Sequence, residues 1–541
     1  MTKHNSLRRV FLWLVAFVLL SLAYFELFQC FPRNSDDANC ALAGFDMLHG
    51  NVWLRHWRFG PDHFYTSDVL AYGILTRLFG LSFKVLFLLP AFYWAAVVLL
   101  SLKSVFLCGS KPHSAASIAF TLTLIGLPIL PPQSRAPMHI GTLVYCLVIF
   151  LLSRRLLLSQ GNHPIEYLAT FVLTTAAVEG DPLAVVACVL PILITCGLIA
   201  APQCRTKAIL VACVLVAATI TARVALSLIT KHGGFQPAML PMRLGDFDKF
   251  GMHLHYGSIG LLDIFGIDFF GKGAVPSAGY TSITDYFARG PIVQLLRFPL
   301  AVFAAASVLH FGRDLYRRFV TRDSKGRGTS NDYLLHFSFW AVTLTVLGAF
   351  LTEVLEGAPP PSRFFIPVLV FATIIGATGV DKRWWGKGYT IAVLAMSLLA
   401  VGAGYKMTKG AGHHPNASHQ EVAAWLQAHS LTEGYGSYWS SSIITVLTSN
   451  EIRVRALAAR TGNVLAPYLW WNCNTAWYTM PPLNGPPRRF VLIDRPPFLG
   501  SFTQEQVIAT LGSPAEAVPV GQYVVFIYDV GTTDFSKLVS R

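Results

Sequence analysis

Charge is what this chain has least of: 13% of its 541 residues are Asp, Glu, Lys or Arg, whereas 53% are hydrophobic, and the mean hydropathy is +0.51. That balance excludes a soluble globular protein, and the wealth of apolar side chains excludes a disordered one. Cysteine is sparse where it would matter. Of the nine, Cys146, Cys188, Cys196 and Cys213 fall inside apolar runs and Cys108 and Cys204 between them, with no Cys-x-x-Cys pair or ligand cluster, so a cysteine-based metal centre has no support. Cys30 and Cys40 are placed either to pair in an oxidising compartment, leaving Cys473 over, or to serve as ordinary small apolar residues. A Walker loop and a Gly-x-Gly-x-x-Gly are both missing, so nucleotide hydrolysis is unsupported. No repeat relates one half of the chain to the other.

What is present is a series of long apolar runs. Stretches able to cross about 30 Å of hydrocarbon fall at 10–30, 83–102, 115–131, 138–153, 164–179, 182–200, 208–229, 293–311, 334–352, 364–380 and 388–405. They predict a mainly α, polytopic transmembrane helix bundle of about eleven spans. The first run is too long for a signal-peptide core, and Ala23-Tyr-Phe-Glu-Leu-Phe-Gln offers no small-residue cleavage site, so it is read as a retained helix. The net charge of +14 would suggest nucleic acid in a soluble chain. Here the basic residues alternate with the spans: Lys3, Arg8 and Arg9, then Lys103 and Lys111, Arg154 and Arg155, Arg205 and Lys207, Arg313 to Arg327, and Lys382, Arg383 and Lys387. Orientation by loop charge puts those segments in the cytoplasm, the N-terminus with them, and the C-terminal region outside.

Two parts follow: a membrane module at 1–406, which includes the first exterior loop, 32–82, and a small α/β domain outside the membrane at 407–541. In the loop, Asp36 or Asp37 can cap a helix running to His49 with Gly50 as its stop, and Thr66 or Ser67 one ending near Gly80. Both helices are amphipathic and are expected along the membrane surface. Trp53, Trp57, Phe59, His63, Phe64 and Tyr65 between them resemble either an interfacial aromatic belt or a sugar-stacking surface. A second long exterior loop, 230–292, carries His253, His255 and the apolar stretch Ile259 to Phe270, too short to span and expected to dip into the membrane surface. In the outer domain, helix patterns at 419–429 and 503–511 alternate with strand-like runs at Ile452–Ala456, Phe490–Ile493 and Tyr523–Tyr528.

Polar residues gather at the exterior edges of the spans, where a membrane enzyme would meet one substrate from lipid and another from water. Asp36 and Asp37, as neighbours on a helix start, point roughly 100° apart, which lets one cap the helix while the other faces a cavity. Glu179-Gly-Asp-Pro182 is a tight exterior turn in which Asp181 reads as an N-cap, or as a functional acid, since carboxylates at a membrane edge need water, a partner or a task. Arg135 and His139 border a further edge. Arg363 opens span ten on the exterior side, against the charge rule, so an anion is expected to compensate it: a lipid phosphate, or Glu353 and Glu356.

An acidic motif after the first span, two helices in the first loop, an exterior Arg-aromatic-x-x-Pro helix start and an outer C-terminal domain together resemble the polytopic glycosyltransferases of the GT-C fold. The chain is similar to the branch holding the protein O-mannosyltransferases and the aminoarabinose transferase of lipid A. Asp36-Asp-Ala-Asn, Leu48-His-Gly-Asn51 and Phe64-Tyr-Thr-Ser-Asp68 resemble bacterial members of that superfamily. The resemblance implies transfer of a sugar, with inversion, from a polyprenyl-phosphate carrier to a glycan, lipid or protein acceptor at the outer face of the cytoplasmic membrane. It implies Asp36 or Asp37 as base or orienting acid, Asp181 as a second acid, and Arg363 facing the carrier phosphate, with Arg135, His139, Glu179 and His255 as further substrate-binding candidates. The chain lacks an Asp-Glu pair in the first loop, and its Trp470-Trp-Asn-Cys473 is not the Trp-Trp-Asp-Tyr-Gly of oligosaccharyltransferases, which speaks against a protein O-mannosyl or N-glycan role. No cofactor is required by such chemistry, although Asp36, Asp37, Asp181 and His139 are residue types that ligate divalent ions. Two other functions fit the same residues: a transporter or flippase of an anionic lipid-linked substrate, weakened by the missing repeat, and a non-catalytic assembly protein.

Overall fold

The computed structural model describes residues 3–108, 114–127, 137–161, 163–199, 205–238, 243–267, 291–320, 333–355, 362–382, 386–410, 416–460, 464–478, 487–497 and 500–538. A helix stands on each of the eleven expected spans. Seven are long and apolar enough to cross a membrane: Leu7–Phe28, Val85–Cys108, Ile140–Leu158, Arg205–Lys231, Val293–Arg318, Tyr333–Leu351 and Ser362–Lys382. Ala115–Leu124, Val185–Leu198 and Gly386–Gly402 are shorter apolar helices, and Pro164–Gly180 is a helix of 17 residues with proline at its first turn, where the missing N–H costs nothing. Leu19, Leu22, Ile220 and Val224 lie exposed on such helices, the expected state of side chains that meet lipid. This is a mainly helical membrane protein.

The chain forms two compact units. The first takes Met1–Cys30, Pro90–Ala225 and Pro241–His413 and is a helix bundle. Its centre is the helix Ile366–Lys382, buried continuously from Ile366 to Val380. One span departs from expectation: helix Ala115–Leu124 stops well short of residue 131, and the ending leaves backbone carbonyls that hydrocarbon cannot solvate. Side chains satisfy them. Arg297, fully buried, donates from Nη1 to Thr123 O (2.9 Å) and Leu127 O (3.1 Å), from Nη2 to Leu124 O (3.0 Å) and from Nε to Phe265 O (2.8 Å). Trp94 Nε1 donates to Ile125 O at 2.9 Å and Tyr24 OH to Gly126 O at 2.7 Å.

The segment 230–292 contains a helix that was not expected, Phe250–Ile264, which overlaps the start of the apolar stretch Ile259 to Phe270. It docks through small residues, since a Cβ at Gly257 would lie 2.5 Å from the Phe350 ring and one at Gly260 2.9 Å from the Phe365 ring. Residues 268–290 lie outside the described residues.

The second unit takes Phe31–Leu89, Leu226–Leu240 and His414–Arg541, so the loop after the first span belongs to the same compact body as the C-terminal domain. Its strands are β1 (Trp57–Phe59), β2 (Gln236–Pro237), β3 (Glu433–Ser437), β4 (Arg453–Arg460), β5 (Val464–Pro467), β6 (Cys473–Asn474), β7 (Arg488–Asp494), β8 (Glu516–Val520) and β9 (Tyr523–Asp529). A six-stranded sheet runs β5-β4-β3-β7-β9-β8, with β3 parallel to both β4 and β7. Val491, Ile493, Val524 and Phe526 bury one face of it against Val507 and Leu511 of helix Gln504–Leu511. β3 reads Glu-Gly-Tyr-Gly-Ser, a poor strand by propensity. Gly434 is there because a Cβ would stand 2.5 Å from Phe490, both ring and carbonyl.

A small second sheet, β2-β1-β6, joins the first exterior loop to the outer domain within this unit. The aromatic residues expected as a belt are largely its core. Trp57, Phe59, His63 and Phe64 are buried, the rings of Phe59, His63 and Tyr65 surround Phe235 at 5.4, 4.8 and 4.9 Å, and Trp57 Nε1 donates to Asp46 Oδ2 at 2.8 Å. Only Trp53 among them stays largely exposed, at 53%. The helices Ser35–Leu48 and Leu70–Phe79 likewise pack on each other: a Cβ on Gly44 would sit 2.5 Å from Gly73 N, and one on Gly73 2.8 Å from Gly44 O, so only glycines allow the crossing.

Replacing Arg297 by Met is expected to strand up to four buried carbonyls, each costing about 1–3 kcal/mol. Thermal unfolding of the purified protein in nanodiscs should show a large fall in Tm, and Arg297→Lys, which keeps the charge but not the forked geometry, an intermediate one.

Candidate active site

Asp36 and Asp37 occupy the first turn of helix Ser35–Leu48, where the helix dipole favours negative charge. Neither is the cap. Asn34 Oδ1 accepts from the backbone N–H groups of Asp36 (3.0 Å) and Asp37 (3.4 Å), which corrects the expectation that an aspartate caps this helix and leaves both carboxylates available. The two then diverge. Asp37 is fully buried, 4.0 Å from Nη1 of Arg33, whose guanidinium also lies 4.4 Å from the Phe87 ring centre. Arg33 is fixed in turn by its backbone: Arg33 N donates to Asn416 Oδ1 and Asn416 Nδ2 donates to Arg33 O, both at 2.9 Å.

Asp36 is only half-buried and turns to the outer domain: its Oδ1 accepts from Tyr438 OH at 2.6 Å and from Asn472 Nδ2 at 3.4 Å. Tyr438 opens helix Tyr438–Leu447 directly after β3, at the carboxyl end of parallel strands, the edge at which open α/β sheets hold ligands. Burial, and then the Asp36 carboxylate, push the Tyr438 hydroxyl well above its ordinary value, so it stays protonated as a donor. Ser442 Oγ donates to Asn39 Oδ1 at 2.7 Å one turn further along the two helices. Asp68, in the Phe64–Asp68 string, is also fully buried and accepts from Ser67 Oγ at 3.1 Å. Burial, with Asp68, Asp36 and Asp37 nearby, raises the Cys40 thiol well above its ordinary value, which marks these acids as one electrostatic neighbourhood. Cys30 and Cys40 are both free thiols.

The first unit holds a separate constellation. Asp181 is fully buried in the turn after helix Pro164–Gly180. Its Oδ2 accepts from His139 Nδ1 (2.7 Å) and Thr142 Oγ1 (2.6 Å), and its Oδ1 from Leu183 N (2.9 Å), so the N-cap expected of it is present. Burial alone would raise the Asp181 carboxyl; the charge of His139 and the hydrogen bonds from His139, Thr142 and Leu183 outweigh that and hold it below its ordinary value. His139 stands at a backbone φ of 66°, immediately before helix Ile140–Leu158. Its ring lies 5.2 Å from that of Phe364, and the Arg363 guanidinium lies 5.0 Å from the centre of the same Phe364 ring. Two potential cations therefore flank one aromatic side chain. Arg363 makes no ion pair with Glu353 among the described residues, and Glu356 lies outside them.

No family model matches the chain, and no curated protein sequence matches it. Among solved structures, the crystal structure of ArnT from Cupriavidus metallidurans bound to undecaprenyl phosphate superposes with a TM-score of 0.52 at 12% identity, covering 98% of this chain and 99% of that one. The chain has the GT-C fold.

Within the GT-C fold, the expected site residues divide between the two units. Asp36 and Asp37 lie in the second; Asp181, His139, Glu179, Arg363 and His255 lie in the first. Glu179 is buried at the end of helix Pro164–Gly180, while His255 is exposed on Phe250–Ile264 beside Tyr256, with ring centres 5.4 Å apart. Its neighbour His253, buried, donates from Nδ1 to Phe350 O at 3.0 Å and is structural. Arg135 lies outside the described residues. Tyr438, Asn472, Arg33 and Thr142 were not expected; none carries a motif, and each is found only through the carboxylate it serves. Among the described residues no three of His, Cys, Asp and Glu gather as a metal-ligand group.

Because the Asp181 carboxyl is held below 3.8, its ordinary value, the stability it contributes is present above about pH 4 and is lost as pH falls through the lower, folded value. The gap in Tm between the parent protein and Asp181→Asn should be constant from neutral pH to about 4 and close below it. A gap unchanged into strong acid would mean that Asp181 is not ionised in the folded state.

Proposed function

We propose that this chain is a membrane glycosyltransferase that moves a sugar from a polyprenyl-phosphate carrier to an acceptor at the outer face of the bacterial cytoplasmic membrane, with inversion. The observation that carries the reading is the end-to-end GT-C likeness to a transferase crystallised with undecaprenyl phosphate. In this reading the half-buried Asp36 is the base. The acceptor hydroxyl oxygen attacks the anomeric carbon, the bond from that carbon to the phosphate oxygen breaks, the polyprenyl phosphate departs with the electron pair, and Asp36 takes the hydroxyl proton. Asp37, engaged with Arg33, holds the start of the helix that carries Asp36.

Within the first unit, Arg363 and His139 about Phe364 are groups suited to hold an anionic phosphate, a guanidinium meeting it at two points. Asp181 then acts as a positioning residue: it fixes the orientation of the His139 ring through the hydrogen bond from Nδ1. Glu179, His255 and Arg135 remain candidate donor contacts. A sugar phosphate ester is already activated, so no nucleotide site is called for. Asp36, Asp37, Asp181 and His139, residue types that could ligate a divalent ion, do not gather into one ligand group among the described residues.

Asp36→Asn should lower transfer from a polyprenyl-phosphate sugar by about 10²–10⁴-fold in membranes while expression and Tm hold, whereas Asp37→Asn should lower both rate and Tm. Transfer at the parental rate by Asp36→Asn would remove it as base. Arg363→Ala should raise the KM for the carrier sugar by about tenfold and leave the acceptor KM unchanged, as expected when one two-point phosphate contact is lost; equal effects on both would assign it a structural part.

A further inference from the structure

The segment from Leu469 to Thr475 is tied down at three points. Arg58 Nη1 donates to Leu469 O at 3.0 Å; Asn472 Nδ2 donates to Asp36 Oδ1 at 3.4 Å and to Tyr438 OH at 3.3 Å; Thr475 N donates to His56 O at 2.8 Å. Asn472 holds φ at 50°, a left-handed conformation that asparagine tolerates better than most side chains. Between these ties, Trp470 is 68% and Trp471 41% exposed. A fixed backbone thus presents two large aromatic faces to the outside instead of folding them into the adjacent core. The Trp470 face is also continuous with the candidate base: the rings of Trp470 and Tyr468 are 5.7 Å apart, those of Tyr468 and Tyr438 4.7 Å, and Tyr438 holds Asp36.

We propose that Trp470 and Trp471 form a stacking platform for a pyranose ring of the acceptor, so that the acceptor is a saccharide or carries one. A pyranose has one face of C–H bonds, whose partial positive charge suits the negative face of an indole, and a rim of hydroxyls that need acceptors and donors. The platform supplies the first and Asn472, within two residues of both indoles in the chain, supplies the second together with the Asp36 it holds. An interfacial anchor would need the indoles alone. The binding of a sugar ring stands by itself; that this sugar is the acceptor rests on the glycosyl-transfer reading above.

The test uses the full-length protein in nanodiscs and a panel of gluco-, galacto-, manno- and N-acetylglucosamine-configured trisaccharides, followed by saturation-transfer NMR. At least one trisaccharide should receive saturation at its ring C–H protons. Trp470→Ala with Trp471→Ala should weaken that binding about tenfold, the scale of lost aromatic stacking, and Trp470→Phe with Trp471→Phe should retain most of it. Binding of polyprenyl phosphate should be the same in all three proteins. No saturation of any trisaccharide by the parent protein, or equal binding by the double alanine variant, overturns the proposal. So does a double alanine variant that loses quenching by brominated lipids while sugar binding is unchanged, which would make the pair a membrane anchor. If the platform binds sugar but Asp36→Asn still transfers, the catalytic reading fails and the platform survives.

Discussion

A carbonyl or a carboxylate withdrawn from water must find its partner within the protein, and that requirement accounts for the polar architecture of both units. It is seen most plainly where helix Ala115–Leu124 stops early. The free carbonyls that follow are taken up one after another by Arg297, Trp94 and Tyr24, side chains from three other helices. The early stop would be too costly in hydrocarbon without them. With them, it becomes a hydrogen-bonded knot that ties four helices together at one level.

The same demand sorts the acids by role. Asp181, fully buried, spends both oxygens on His139, Thr142 and the backbone of Leu183, so it can position but has little left to offer a substrate. Asp37 is buried against Arg33. Asp36, one residue away on the helix, is the half-buried carboxylate of the pair, and the donors that reach it are neutral: a tyrosine hydroxyl and an asparagine amide. A neutral donor orders a carboxylate without neutralising it, the condition a base requires. The distinction between adjacent aspartates therefore comes from the side chain each one meets.

Much of the membrane part was legible in the sequence because length and apolarity act locally. Each apolar run became a helix, and the chain took the GT-C fold that its short motifs resembled. Local patterns were also what misled. Asp36 and Asp37 are good N-caps by type, but Asn34 sits two and three residues ahead and wins, because the helix starts that much earlier than the acids suggest. The aromatics of the first loop look like a surface belt by composition, yet Phe235, from nearly two hundred residues along the chain, gathers them into a core. β3 was invisible because its Gly434 is set by the bulk of Phe490, not by strand propensity.

The sequence by itself determined that this is a helical membrane protein with a C-terminal strand-containing domain and acids near the ends of its apolar runs, since hydrophobic length and local pattern need no distant partner to act. Only the tertiary structure decided which acid is held by an arginine, which by a histidine and which by a tyrosine and an asparagine. Those partners lie from four to more than four hundred residues away in the chain. A carboxylate's chemistry is set by the burial and hydrogen bonds that only folding assembles.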